Sequence, residues 1–155
     1  MELFSQEDNP TLNRYLQKIN IKFDDEELSS IILDKEIVGF IRNRKIITDD
    51  GLPVVDILGL IALKSHAYFQ NLKLYNEKKI KGKENYAKHK NDIIRLLLSL
   101  NGNETPIEIP TIIKQDCLSF VDVLKAANTE FKNIGKGTNL QLEQLVDLYD
   151  KIFCL

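Results

Sequence analysis

The sequence predicts an α+β fold: a small N-terminal β-sheet of about four to five short strands packed against a C-terminal group of about four helices. Two observations predict it. As far as Val55 the apolar residues come in short, β-branched runs broken by Asp, Asn, Gly and Pro; from Asp56 onward they recur with a 3.6-residue period. The chain has 155 residues, 43% of them hydrophobic, enough for one domain with a real core. Residues 1–55 are expected to be its mixed strand and helix part and residues 56–155 its helical part.

Glu2-Leu-Phe-Ser5 reads as a short strand, and Asn9-Pro10 as a turn. Thr11 to Lys18 suits a short helix. Ile19-Asn-Ile-Lys-Phe23 alternates apolar and polar residues, as a half-buried strand does. Asp24 to Glu27 is an acidic turn, and Leu28 to Leu33, with Ile31 and Ile32, a further strand. Asp34 is placed to cap a short helix carrying Ile37, Val38, Phe40 and Ile41. Lys45-Ile-Ile-Thr48 and Leu52 to Val55 flank Asp49-Asp50-Gly51, which is a hairpin signal, and Pro53 assigns the second strand to an edge.

Asp56 is the expected N-cap of the first long helix, in which Ile57, Leu60, Ile61, Lys64, Ala67 and Tyr68 share one face. The second runs from Asn85 to Leu100, with Tyr86, Ile93, Leu96, Leu97 and Leu100 on its apolar stripe and His89 and Asp92 set into it. Between them, Lys73, Lys78, Lys79, Lys81, Lys83, Lys88 and Lys90 face only Glu77 and Glu84, a basic linker. Thr111 is placed to cap a helix bearing Ile113, Cys117, Phe120, Val121 and Leu124. Thr138-Asn-Leu-Gln141 has the form of a capping box before a last helix with Leu142, Leu145, Val146, Tyr149, Ile152 and Phe153 on one stripe.

A formal charge of −2 excludes a polycation, so nucleic-acid contact would need a local patch such as the linker. Two cysteines without a CxxC motif set no disulfide framework and make a reducing cytosol the default. The acidic start is unlike a signal peptide, and no run approaches the roughly 18 apolar residues of a membrane span. A cytoplasmic protein with no membrane partner is expected.

Lys, His and Asp on apolar stripes carry a desolvation cost, and such groups are paired or functional. Lys64 is open to two readings: a phosphate-binding cation, or a lysine whose stem packs on apolar surface while its amine pairs with Asp92. His89 reads as a site hydrogen-bonding group or as a satisfied core residue. Lys88, Lys90 and Arg95 read as solvated, Lys90 being the best exception. His66 has no second ligand at metal spacing. Gly135-Lys136-Gly137-Thr138 lacks the full phosphate-loop spacing and is a glycine loop before a helix. Cys117 is core, and no Ser-His-Asp or Cys-His arrangement emerges.

Glu2-Leu-Phe-Ser5, Leu60-Ile-Ala-Leu-Lys-Ser-His-Ala67, Lys88-His-Lys-Asn-Asp-Ile-Ile-Arg-Leu96 and Ile109 to Phe120 together resemble the C-terminal two thirds of the nucleotidyltransferase-like AbiEii toxin family. The second stretch resembles that family's Leu-x-x-Leu-Lys-x-x-Ala motif, and the third its Lys-His-x-Asn-Asp-x-x-Arg-Leu signature. The resemblance implies a bacterial toxin-antitoxin protein that moves a nucleotide onto RNA or protein, with Lys64, His89, Lys90 and Asp92 as nucleotide-binding residues. It also implies that Glu2 lies near the family's third carboxylate. The family's Gly-Ser turn and Asp-x-Asp strand, which hold magnesium and the nucleotide triphosphate, have no counterpart here. One carboxylate does not assemble a two-metal site, so no metal ligand is assigned. The expectation is therefore a catalytically incomplete nucleotidyltransferase-like domain, Mg2+ and nucleotide triphosphate entering only if the catalytic half is supplied. The alternative is a non-catalytic interaction module that pairs through a sheet edge with a protein partner, an antitoxin or a second copy.

Overall fold

The computed structural model describes residues 2–5, 18–23, 26–32 and 34–153, with side chains from 34 to 153. The chain divides into two compact units, Met1–Arg44 and Lys45–Leu155.

In the first unit, β1 (Glu2–Ser5), β2 (Lys18–Phe23) and β3 (Glu26–Ile32) form a sheet in the order β1-β3-β2, with β1 parallel and β2 antiparallel to β3. The acidic turn expected at Asp24 to Glu27 is shorter than that, because Glu26 and Glu27 already pair with Phe23 and Lys22. The turn at Asn9-Pro10 and the helix from Thr11 lie outside the described residues, while Lys18, expected to end that helix, opens β2. Helix α1 (Lys35–Asn43) starts where expected: the Asp34 carboxylate accepts from the Glu36 N–H at 2.8 Å, satisfying one free donor of the first turn.

The second unit begins with a hairpin of β4 (Lys45–Ile47) and β5 (Pro53–Val55), in register Lys45 with Val55 and Ile47 with Pro53. Gly51 takes φ of +77°, the left-handed backbone that the tight turn needs. Then come α2 (Ile57–Asn76), α3 (Glu84–Leu98), α4 (Thr111–Lys125), α5 (Asn128–Ile134) and α6 (Leu142–Phe153).

The expected α+β architecture is corrected here. Residues 34–153 are 65% helical, with six helices and only a two-stranded antiparallel sheet, so no four- to five-stranded sheet packs on four helices. The strands do not merge into one sheet: β4 and β5 pair with each other, and Pro53 carries no N–H to donate. Helix α5 is the unforeseen helix, two turns with no buried residue, too short to leave an apolar period.

Aspartate 56 caps α2 by accepting from the Gly59 N–H at 2.8 Å. Its other end closes with Lys78 in the left-handed region, φ 58°, so that the Lys79 N–H reaches the Leu74 carbonyl at 2.9 Å. Gly82 (φ +87°) completes the turn into α3; a Cβ there would meet the Glu84 carboxylate. Two expected caps are moved. Pro110 rather than Thr111 precedes α4, without a side-chain cap. Helix α6 begins after Gln141, whose N–H is capped by Gln144 at 2.7 Å, while the Thr138 hydroxyl accepts from Leu140 in the preceding turn.

The core forms where α2 packs on α3 and α4, and α6 on α3 and α4. The stripes of α4 and α6 are buried as expected, from Ile113 to Leu124 and from Leu142 to Phe153. The face of α2 is not. Its buried residues are Gly59, Ile61, Ala62, Ser65 and Tyr68, and Ile57 is 39% exposed. The helix is rotated by about one residue, which moves Lys64 from the middle of the apolar face to its border and puts Ser65 at the centre. Among the described residues no helix is long and apolar enough to cross a membrane.

Candidate functional site

Helices α2 and α3 are joined by a short turn and packed side by side, which aligns Lys64 and Asn71 of α2 with Asn85, His89 and Asp92 of α3. On each helix these residues are spaced by three, four or seven, one edge of a 3.6-residue period. The Lys64 ammonium donates to Asp92 Oδ2 at 2.8 Å, and Arg95 Nη1 donates to Asp92 Oδ1 at 3.2 Å. One carboxylate is thus shared by two cations. Side-chain exposures of 29% for Lys64, 36% for Asp92 and 59% for Arg95 leave the cluster open to solutes. Burial would raise the Asp92 carboxyl, but the Lys64 hydrogen bond and charge, with Arg95 behind them, outweigh it and hold it below the usual range.

One turn earlier on α3, Asn71 Nδ2 donates to the Asn85 carbonyl and to His89 Nε2, both at 3.0 Å. A ring nitrogen that accepts leaves the imidazole proton on Nδ1. That Nδ1 is buried and has no hydrogen-bond partner among the described residues. Burial lowers the His89 pKa, and the charges of Lys64 and Lys88 lower it further against the opposing Asp92. The imidazole is therefore held neutral beside the cations. Lys90 turns away from this cluster and pairs with Glu130 of α5, whose carboxyl the lysine hydrogen bond lowers against a smaller burial effect.

Of the sequence candidates, the structure brings Lys64, Asp92 and His89 to one place and assigns Lys90 to an interhelical pair. The side chain of Glu2 lies outside the described residues; its backbone pairs with Ser29. Arg95, read as solvated, contacts Asp92, a contact legible in its i+3 spacing. Asn71 was missed, although it stands seven residues after Lys64 on the same edge. His66 was set aside for want of a metal partner; it pairs with Asp116 of α4, Nδ1 to Oδ2, at 2.6 Å. No spacing argument reaches a partner on a helix 50 residues away.

Magnesium would need several carboxylates around one point. Among the described residues no three His, Cys, Asp or Glu side chains are so gathered.

No family model, curated protein or solved structure matches the chain.

Proposed function

We propose that this chain is a nucleotidyltransferase-like protein of the AbiEii toxin type, whose α2–α3 edge binds the phosphates of a nucleoside triphosphate. The observation that carries the reading is the shared carboxylate: two cations, Lys64 and Arg95, meet one anion, Asp92, on a partly exposed edge. Lys64 uses one of its three N–H donors on Asp92, and Arg95 one of five. The remaining donors and the excess positive charge suit a phosphate, which a compact ammonium on a rigid helix binds well. Lys64 is the phosphate contact, Asp92 holds its amine in place, and neutral His89, locked by Asn71, keeps the edge from gathering a third cation. The second and third of the four stretches that carry the family resemblance supply Lys64, His89, Asp92 and Arg95.

Isothermal titration of each of the four nucleoside triphosphates tests this. Wild type should take up at least one, and Lys64→Ala should bind it about tenfold more weakly, the loss of roughly one charged contact. No heat from wild type with any of the four would overturn the reading.

A second reading, a non-catalytic protein-interaction or oligomerisation module derived from that fold, is favoured by the hairpin. Ile46 is 49% exposed, Ile47 60%, Leu52 61% and Val54 39%, an apolar exposure beside open strand edges. Sedimentation of wild type and of an Ile47→Lys variant separates the two: a dimer lost in the variant favours the module.

A further inference from the structure

The residues most exposed on the α2–α3 hairpin are not those of the Lys64 cluster but the lysines of the turn that joins the helices. Residues 73–90 carry seven lysines against two glutamates in a chain of net charge −2, so the remainder is acidic and the positive charge is concentrated here. Lys73, Lys78, Lys79, Lys81, Lys83 and Lys88 are all exposed. Glu77 is engaged by Lys79, whereas Lys78, Lys81, Lys83 and Lys88 have no salt-bridge partner among the described residues. The backbone fixes their display: Lys78 is held left-handed at the end of α2, and Lys81 and Lys83 flank Gly82, whose φ of +87° bends the chain into α3. From Lys83 to Lys88 the helical rise of 1.5 Å per residue gives a step of about 7.5 Å, comparable with the spacing of successive phosphates on an extended strand. Beneath the turn, Tyr75 and Tyr86 lie 5.6 Å apart, both half-buried.

We infer that this turn is a docking surface for single-stranded nucleic acid, which runs from Lys78, Lys81 and Lys83 along α3 past Lys88. Flexible ammonium groups bind the backbone as point charges, and the tyrosine pair offers ring surface to bases at its rim. An acidic protein is the weaker fit, because protein interfaces need a desolvated apolar centre. The large exposed apolar residues of the described chain, Ile46, Ile47, Leu52, Val54, Ile57, Ile112, Leu118 and Leu140, all lie outside residues 73–90. The surface is independent of whether Lys64 binds a nucleotide.

Fluorescence anisotropy of a labelled single-stranded RNA of mixed sequence, titrated at about 50 and 200 mM salt, tests it. Wild type should bind in the range of about 10⁻⁴ to 10⁻⁶ M, weakening as salt rises. The triple variant Lys81→Gln, Lys83→Gln, Lys88→Gln should lose at least about tenfold in affinity. Its salt slope should shrink by about 2, since a neutralised phosphate of a single strand contributes about 0.7. Replacing the exposed Lys114 and Lys125 of α4 by Gln should change neither. Absence of binding by wild type at the lower salt, or a triple variant that binds as tightly as wild type with the same slope, would overturn the inference. Tighter binding of polyglutamate of equal charge than of the RNA would overturn it too, in favour of an acidic protein partner.

Discussion

The edge that α2 turns to α3 and the face it turns to α4 and α6 both carry polar side chains, and consecutive residues, Lys64 and Ser65, open the two. On the edge the groups are charged, partly exposed and joined in ion pairs. In the core they are neutral and fully satisfied: the Ser65 hydroxyl donates to the Ile61 carbonyl at 3.0 Å and meets the Tyr149 hydroxyl at 2.8 Å, which in turn donates to the Cys117 carbonyl at 3.2 Å. Ser65 and Tyr149 are both 0% exposed. The contrast follows from the cost of taking charge out of water, which a hydroxyl network avoids and an ion pair at the border only partly meets. Stability should therefore reside in the core network, and ligand chemistry in the edge.

The largest break in that comparison is expected from Tyr149, whose ring packs against Phe120 and Phe153 with centroids 5.7 and 4.8 Å away. Tyr149→Ala should lose about 3–5 kcal/mol in urea denaturation, because it opens a cavity as well as removing the hydroxyl. Tyr149→Phe keeps the ring and should lose about 1–3 kcal/mol, the cost of leaving buried partners short of a hydrogen bond. An equal loss in the two would mean that the network, and not the packing, holds α6. Cys117 sits in the same core, and burial pushes its thiol up to about 12. Peptide mapping after alkylation of the native protein at neutral pH should find Cys117 unmodified, since so little thiolate is present.

Next in size is a pH effect that belongs to the edge. The folded His89 pKa lies below its unfolded value of about 6.5, so the unfolded chain binds the proton more readily. Its contribution is present above that value and is lost as pH falls through it towards the folded value. The urea midpoint of wild type should drop as pH falls below about 6.5, and His89→Gln should flatten that drop. Further acidification should cost stability again as pH passes below the ordinary carboxylate range, where Asp92 and Glu130, both held low, take up protons. A flat profile in wild type would show that His89 is not penalised for its charge.

Much of the helical part was legible because one buried face leaves a period. The stripes of α4 and α6, from Ile113 to Leu124 and Leu142 to Phe153, are the buried residues themselves. The pair of Lys64 with Asp92 was legible for a different reason: opposite charges on the inner edges of two helices joined by a short turn have few other partners. The rotation of α2 was not, because Leu60, Ile61, Ala62, Leu63 and Ala67 make the helix apolar nearly all round and period alone does not choose among its faces. The separation of the strands into two sheets was equally hidden, since β-branched runs announce strands without saying which pairs with which.

The smallest effect sharpens the comparison most. Lys64 and Asp92 are about a third exposed, and a pair so placed is screened by water and salt, so a double-mutant cycle on stability with Lys64→Ala and Asp92→Ala should give a coupling of about 0.5–1 kcal/mol. Arg95 remains to neutralise Asp92 when Lys64 is removed, which keeps the single losses small. The same cycle read on nucleotide-triphosphate affinity should behave differently. If Asp92 positions the Lys64 amine for phosphate, Asp92→Ala weakens binding only while Lys64 is present. A cycle additive on stability yet coupled on affinity would place the purpose of this pair in the ligand. One coupled on stability alone would make it a clasp between α2 and α3, with the triphosphate site to be sought elsewhere.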